Sequence, residues 1–229
     1  MVHKLLNYLT FGVYNYLCQQ YFFIKQGKLM RKYGHEILSL VNGVSKELNK
    51  PIWLEFGTLL GAYRDKSFIG HDYDMDLGMY LSDYDDLFER KLIEKGFEKK
   101  HWFTLFKKGE EIISEVTWSY GGFNVDFFLC IDCDDRRHVF CYGKKDEESF
   151  SQGKWEVLEY IQPNAFPIES VYIDDIKCSA PARTVDCLKK YYGENFMIPQ
   201  KGCSATDKTN RVVVWNIDDA FGKISMPTK

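Results

Sequence analysis

Between Lys28 and Asn49, apolar side chains fall at Leu29, Tyr33, Ile37, Leu40, Val41, Val44 and Leu48. That three-and-four spacing predicts an amphipathic helix. Lys50-Pro51 ends it, because the residue before a proline avoids the helical region. Ile52 to Phe56 is then a short apolar run that predicts a buried strand, interrupted by Gly57-Thr58, after which Leu59 to Tyr63 opens a short helix. Asp74 to Tyr80 predicts the next strand. Ser82 or Asp83 caps a helix reaching Glu94, with Tyr84, Leu87, Phe88 and Leu92 on one face and Gly96 as its stop. From Phe97 to Tyr142 the pattern shortens to aromatic and β-branched runs: 102–106, 112–118, 123–131 and 139–142. Lys108-Gly109 and Gly121-Gly122 mark turns between them, which predicts an antiparallel meander. Beyond a loop at Pro163 to Pro167 come a strand at Val171 to Ile173, a helix from Pro181 to Tyr192 closed by Gly193, and an edge strand at Arg211 to Trp215.

The pattern is therefore α+β, a sheet with an antiparallel meander and helices packed around it. No linker splits residues 28–229, which read as a single domain. Residues 1–27 stand apart. Leu5 to Ile24 is rich in aromatic and aliphatic residues but is interrupted by Asn7, Asn15, Gln19 and Gln20. A spanning helix needs about 20 mainly apolar residues, so this stretch is a poor span. Two readings stand side by side: a helix lying in a membrane interface with Lys4, Lys25 and Lys28 at its ends, and a helix packed on the domain or on a partner.

Charge and cysteine usage narrow the picture. With 30 Lys and Arg against 33 Asp and Glu the formal charge is −3, so no global positive field recruits nucleic acid. Seven cysteines without a secretory signal read as a reduced cytoplasmic chain, with any membrane contact peripheral and at the inner face.

The chemistry concentrates in Gly57 to Gly78. Asp72, Asp74 and Asp76 alternate, and in a strand alternate side chains share a face. Like charges so close call for a cation, and a hard divalent ion shared with substrate phosphates suits carboxylates best. Asp126 lies in the otherwise apolar run Phe123 to Leu129. A buried lone carboxylate is costly, and sharing the cation of Asp74 and Asp76 resolves that cost. The helix start at Gly57-Thr58 offers N–H and hydroxyl groups to a phosphate, with Arg64 as a charge clamp or a structural ion pair. His71 reads as a substrate contact, a base or a structural donor. A further group, Cys130, Cys133, His138 and Cys141, has ligands suited to a structural Zn2+ but only one true Cys-x-x-Cys pair. Placement of Cys130 and Cys141 in core strands favours plain burial over zinc.

The run EFGTLLGAYRDKSFIGHDYDMDLGMY, residues 55–80, resembles the LicD family, whose members include phosphocholine transferases of bacterial surface glycans and the catalytic domains of fukutin and fukutin-related protein. The matching residues are Gly57 to Arg64, Ile69, Asp72, Asp74, Asp76 and Gly78, and a later segment around Phe166-Pro167, Tyr192-Gly193 and Pro199 is similar to the family's closing stretch. His71 stands where the family usually has tryptophan, and Tyr73 replaces the middle acid of an Asp-Asp-Asp cluster. The resemblance implies a nucleotidyltransferase-like fold with a mixed sheet, and a metal-dependent phosphotransferase. Such an enzyme moves a phosphocholine- or polyol-phosphate-like group from a CDP-linked donor to a hydroxyl of a glycan or lipid-linked glycan, as in lipopolysaccharide or capsule biosynthesis. It implies Mg2+ or Mn2+ on Asp74, Asp76 and Asp126, these same three acids being catalytic, with Gly57, Thr58, Arg64, His71 and Asp72 around the donor. The alternatives are a conventional nucleotidyltransferase acting on a small molecule and a non-catalytic, membrane-associated nucleotide-binding protein.

Overall fold

The fold is described from a computed structural model, which covers residues 13–70, 72–199 and 211–228. Its elements in chain order are α1 (Val13–Leu48), β1 (Trp53–Leu54), α2 (Phe56–Arg64), β2 (Asp74–Tyr80), α3 (Asp86–Glu94), β3 (Glu98–Lys107), β4 (Glu110–Tyr120), β5 (Phe123–Cys133) and β6 (Arg136–Gly143). The chain continues through α4 (Glu147–Ser151), β7 (Glu156–Pro163), β8 (Glu169–Ile173), β9 (Ile176–Ala180), α5 (Thr184–Tyr192), β10 (Val213–Val214) and β11 (Ala220–Ser225).

The expected meander is present. β3 to β7 pair in succession, each antiparallel to the next, within a sheet ordered β10-β7-β6-β5-β4-β3-β11. What makes the sheet mixed is β2, which pairs in parallel with β5 and antiparallel with β1. The sheet curls on itself: Trp155 bridges to Gly222, and the two ends enclose a small core of Leu105, Phe140, Val157 and Ala220. The main core lies between the β2-β5-β4 region and α1, α2 and α3, and is built on Ile37, Val41, Leu59, Leu77, Trp118 and Phe127.

Three boundaries differ from the sequence reading. First, α1 is one continuous helix, not a break near residue 27 followed by a new start; Gly27, the residue that invites a break, sits inside it. Gln26, Met30, Gly34, Ile37, Val41 and Val44 form one buried stripe that runs from just before the glycine to the helix's far end and holds that part down on the domain. Second, the cap of α3 is Asp85, whose side chain accepts from the Phe88 N–H at 3.0 Å. Leu81–Asp83 instead forms a 3-10 turn. Both Asp83 and Asp85 could cap; Phe88 and Leu92, the buried pair, set the start. Third, a hairpin partner for β8 was missed. β9 follows a turn at Asp174, which adopts positive φ, as aspartate tolerates better than most residues.

Candidate active site

The site grows out of β1. Glu55 follows that strand and donates its N–H to the Asp76 carbonyl at 3.0 Å. Phe56 then takes φ 40°, an uncommon left-handed conformation for a bulky residue, and turns the chain directly into α2. The ring that bears this strain is clamped by Phe128 and Tyr191, with centroids at 4.6 and 4.3 Å. The turn aims the Gly57 N–H at the Asp76 carboxylate (3.1 Å) and sets the Thr58 hydroxyl to accept from the Asp76 N–H (2.9 Å). A side chain at position 57 would not fit freely: an added Cβ would lie 3.3 Å from Asp72 Oδ2 and 3.5 Å from Asp76 Oδ2.

Strand register does the rest. Asp76 on β2 is the direct partner of Asp126 on β5, which is the partner of Thr117 on β4, which is the partner of His101 on β3. One row of side chains thus runs across four strands about 4.8 Å apart. Asp74 lies two residues earlier on the same face as Asp76. Carboxylate oxygens of Asp74, Asp76 and Asp126 all lie within 4.8 Å of one another. Along the row, the Thr117 hydroxyl donates to Asp126 Oδ1 and meets His101 Nε2 at 3.1 Å.

Burial and crowding push every acid here in one direction. The Asp74 and Asp76 carboxyls are raised well above the usual range, by burial first and then by charge: that of Asp126 and Asp72 on Asp74, and that of Asp74, Asp126 and Asp72 on Asp76, where the Gly57 N–H opposes the shift. Burial raises Asp126 to about 6, against the pull of the Thr117 hydroxyl. Burial raises Asp72 to about 7, against the charge of Arg64. Glu115, two residues from Thr117 on the same face, is raised by burial and by Asp126 and Asp74. Carboxylates placed to repel one another are what a bound divalent cation would relieve, so the donor set fits Mg2+ or Mn2+.

The remaining expected residues fall around this cluster. Arg64, at the end of α2, forks onto Asp65 at 2.8 and 2.7 Å while its charge also acts on Asp72. His71 lies outside the described residues. Tyr73 is half-exposed beside the acids, packed against Phe23 of α1 at 4.8 Å. The four zinc candidates do not converge. Cys130 is buried with its thiol on Arg137, Cys133 is exposed, and His138 binds Glu159 at 2.7 Å. Among the described residues, the aspartate triad is the group with ligand atoms in reach of one another.

Sequence reasoning missed the support beneath the turn. Glu55 and Arg137 are both fully buried and paired; Arg137 Nη2 reaches Glu55 Oε1 at 3.2 Å, and Trp53 Nε1 and the Tyr191 hydroxyl also donate to Glu55, each at 2.9 Å. Gly78 belongs to the same unit, since a Cβ there would strike the Trp53 indole at 2.2 Å. The one sequence signal was an acidic residue at the end of an apolar strand, directly before the turn.

A family model described as LicD/FKTN/FKRP, nucleotidyltransferase domain, matches residues 49–183. The chain is 28% identical over 177 residues to ribitol-5-phosphate transferase FKTN of Mus musculus, covering 76% of this chain and 35% of that protein. It is 26% identical over 171 residues to the same protein of Homo sapiens, covering 75% of this chain and 34% of that protein. A 48-residue stretch is 48% identical to ribitol 5-phosphate transferase FKRP of Homo sapiens, over 21% of this chain and 10% of that one. The chain spans about a third of the length of the FKTN relatives it matches.

Proposed function

The chain belongs to the LicD/FKTN/FKRP nucleotidyltransferase-domain family, and from that premise we propose that it is a metal-dependent phosphotransferase. It moves a polyol-phosphate- or phosphocholine-like group from a CDP-linked donor to a hydroxyl of a glycan or glycolipid, in the cytoplasm or at the inner face of a membrane. The observation that carries the reading is the convergence of Asp74, Asp76 and Asp126. The names of the FKTN and FKRP relatives support ribitol phosphate as the first transferred group to test.

Asp74, Asp76 and Asp126 would hold Mg2+ or Mn2+, which when bound neutralises phosphate charge on the donor. Gly57 and Thr58 fix Asp76 through its carboxylate and its N–H. Arg64, held at the end of α2 by Asp65, lies within reach of the Asp72 charge and would clamp an incoming phosphate. Asp126 would complete that metal site or, with the metal on Asp74 and Asp76 alone, receive the acceptor proton; the Thr117 hydroxyl orients it either way.

The test is product release from CDP-ribitol, CDP-glycerol and CDP-choline with Mg2+. CMP release that requires the metal, and that falls at least about a thousandfold in Asp74→Asn and Asp126→Asn, is the expected result. Pyrophosphate release from a nucleoside triphosphate would instead favour a conventional nucleotidyltransferase. Full activity of Asp74→Asn would refute the mechanism.

A further inference from the structure

The first half of α1 lies beyond the core. Val13, Leu17, Tyr21 and Ile24 are between 53% and 71% exposed. They recur at intervals of four, four and three and so share one helix face. That face is turned by roughly 130° around the helix axis from the stripe of Met30, Gly34, Ile37 and Val44 that packs on the domain. These four residues are therefore not an overrun of the core stripe, which Tyr16 and Phe23 continue.

Charge continues along the same face. Lys28 and Arg31 follow Ile24 at intervals of four and three, flanked by Lys25 and Lys32, and all four are exposed. The first 35 residues carry five Lys and Arg and no carboxylate, within a chain of net charge −3. An apolar half of about 18 Å followed on the same face by cations matches a lipid interface, with acyl chains under the first and anionic headgroups under the second. A second copy docked in parallel through this stripe would instead oppose like charges. No helix among the described residues is long and apolar enough to cross a membrane.

The helix is tied to the site's rim. Phe23 packs on Tyr73 at 4.8 Å, between Asp72 and Asp74, and Gln26 Nε2 donates to the Gly122 carbonyl at 3.2 Å, just before β5.

We infer that the face of α1 from Val13 to Arg31 docks on the surface of an anionic lipid bilayer and holds the aspartate cluster beside it. If the phosphotransferase reading holds, the acceptor is borne on a lipid; that clause rests on the proposed function, whereas the docking itself does not.

The experiment is co-sedimentation of the full chain with vesicles of phosphatidylcholine alone and of phosphatidylcholine mixed with phosphatidylglycerol, at low and high salt. The wild type is expected to pellet with the mixed vesicles and to be released by salt. Leu17→Glu, Tyr21→Glu and Ile24→Glu combined should leave it in solution, with far-UV CD and Tm unchanged because these side chains face solvent. Lys25→Gln, Lys28→Gln and Arg31→Gln should weaken binding about fivefold each, on the order of a hundredfold together. Wild type that stays in solution with both vesicle types, or pelleting that survives the glutamate variant, overturns the proposal. So does a wild-type dimer that ignores vesicles and is made monomeric by the glutamates, since the stripe would then bind a second copy. CMP release from a soluble donor, measured on the same samples, separates failure of docking from failure of the catalytic reading.

Discussion

Asp76 is gripped from three directions: Gly57 donates to its carboxylate, Thr58 accepts its N–H, and its carbonyl accepts from Glu55. So fixed, it cannot swing away from Asp74 and Asp126, and the repulsion among them is stored in the metal-free protein. Because these carboxyls have folded pKa values above their unfolded ones, the folded state binds protons that the unfolded chain has released. Their stabilising protonation is complete below about pH 4 and is lost as pH rises through the folded values, about 6 for Asp126 and about 7 for Asp72. In EDTA, Tm should therefore fall between pH 5 and pH 8, and Mg2+ should flatten that slope. Asp74→Asn should raise the metal-free Tm at pH 8 by roughly 2–4 °C for each ~1 kcal/mol of repulsion relieved, while abolishing turnover. Thermal scans with and without Mg2+ would check both signs. The acids were legible in the sequence because alternation in a strand is a one-dimensional pattern. Thr117 and Glu115 were not, because nothing local distinguishes a hydroxyl or a carboxylate that meets Asp126 from one that meets water.

The β1-to-α2 turn shows how an element is made to carry such a site. Its tightness costs an unfavourable Phe56 conformation, offset by aromatic packing and by the buried Glu55–Arg137 pair below it. Removing one partner strands the other charge. Glu55→Ala should destabilise the protein by about 3–5 kcal/mol, and Glu55→Gln by less, because the amide oxygen can still accept from Trp53 while its NH2 donates to the Tyr191 hydroxyl. Urea denaturation of the two variants would read this directly; equal losses would show that the hydrogen bonds to Trp53 and Tyr191 contribute nothing beyond the charge of Glu55. The turn's glycine and threonine were visible in the sequence, but their work on Asp76 was not. A glycine at a helix start suggests an open anion site, and only the register of β2 reveals that its N–H is already engaged. Helix ends were also misplaced where two capping residues competed, as at Asp83 and Asp85, since only burial of Phe88 and Leu92 decides between them.

At the scale of the whole molecule, the strand types, the meander and the α+β class could be read from periodicity, because each half-buried strand carries its own alternation. The curl that joins Trp155 to Gly222, and the parallel insertion of β2 beside β5, could not. Both depend on pairings between segments far apart in the chain, which leave no local trace. That parallel pairing has a kinetic consequence. Asp76 and Asp126 are fifty positions apart, and the whole of α3, β3 and β4 must be threaded between them before they meet. Hairpins close in microseconds, whereas distant pairings wait on loop closure. In refolding from urea, recovery of Mg2+-dependent donor binding should lag the return of far-UV CD, and a slip of one residue between β2 and β5 would send Asp126 to the opposite face of the sheet. Ligand binding is thus a clock for the last long-range step, and a stopped-flow trace in which binding and secondary structure return together would show that β2 joins the sheet early.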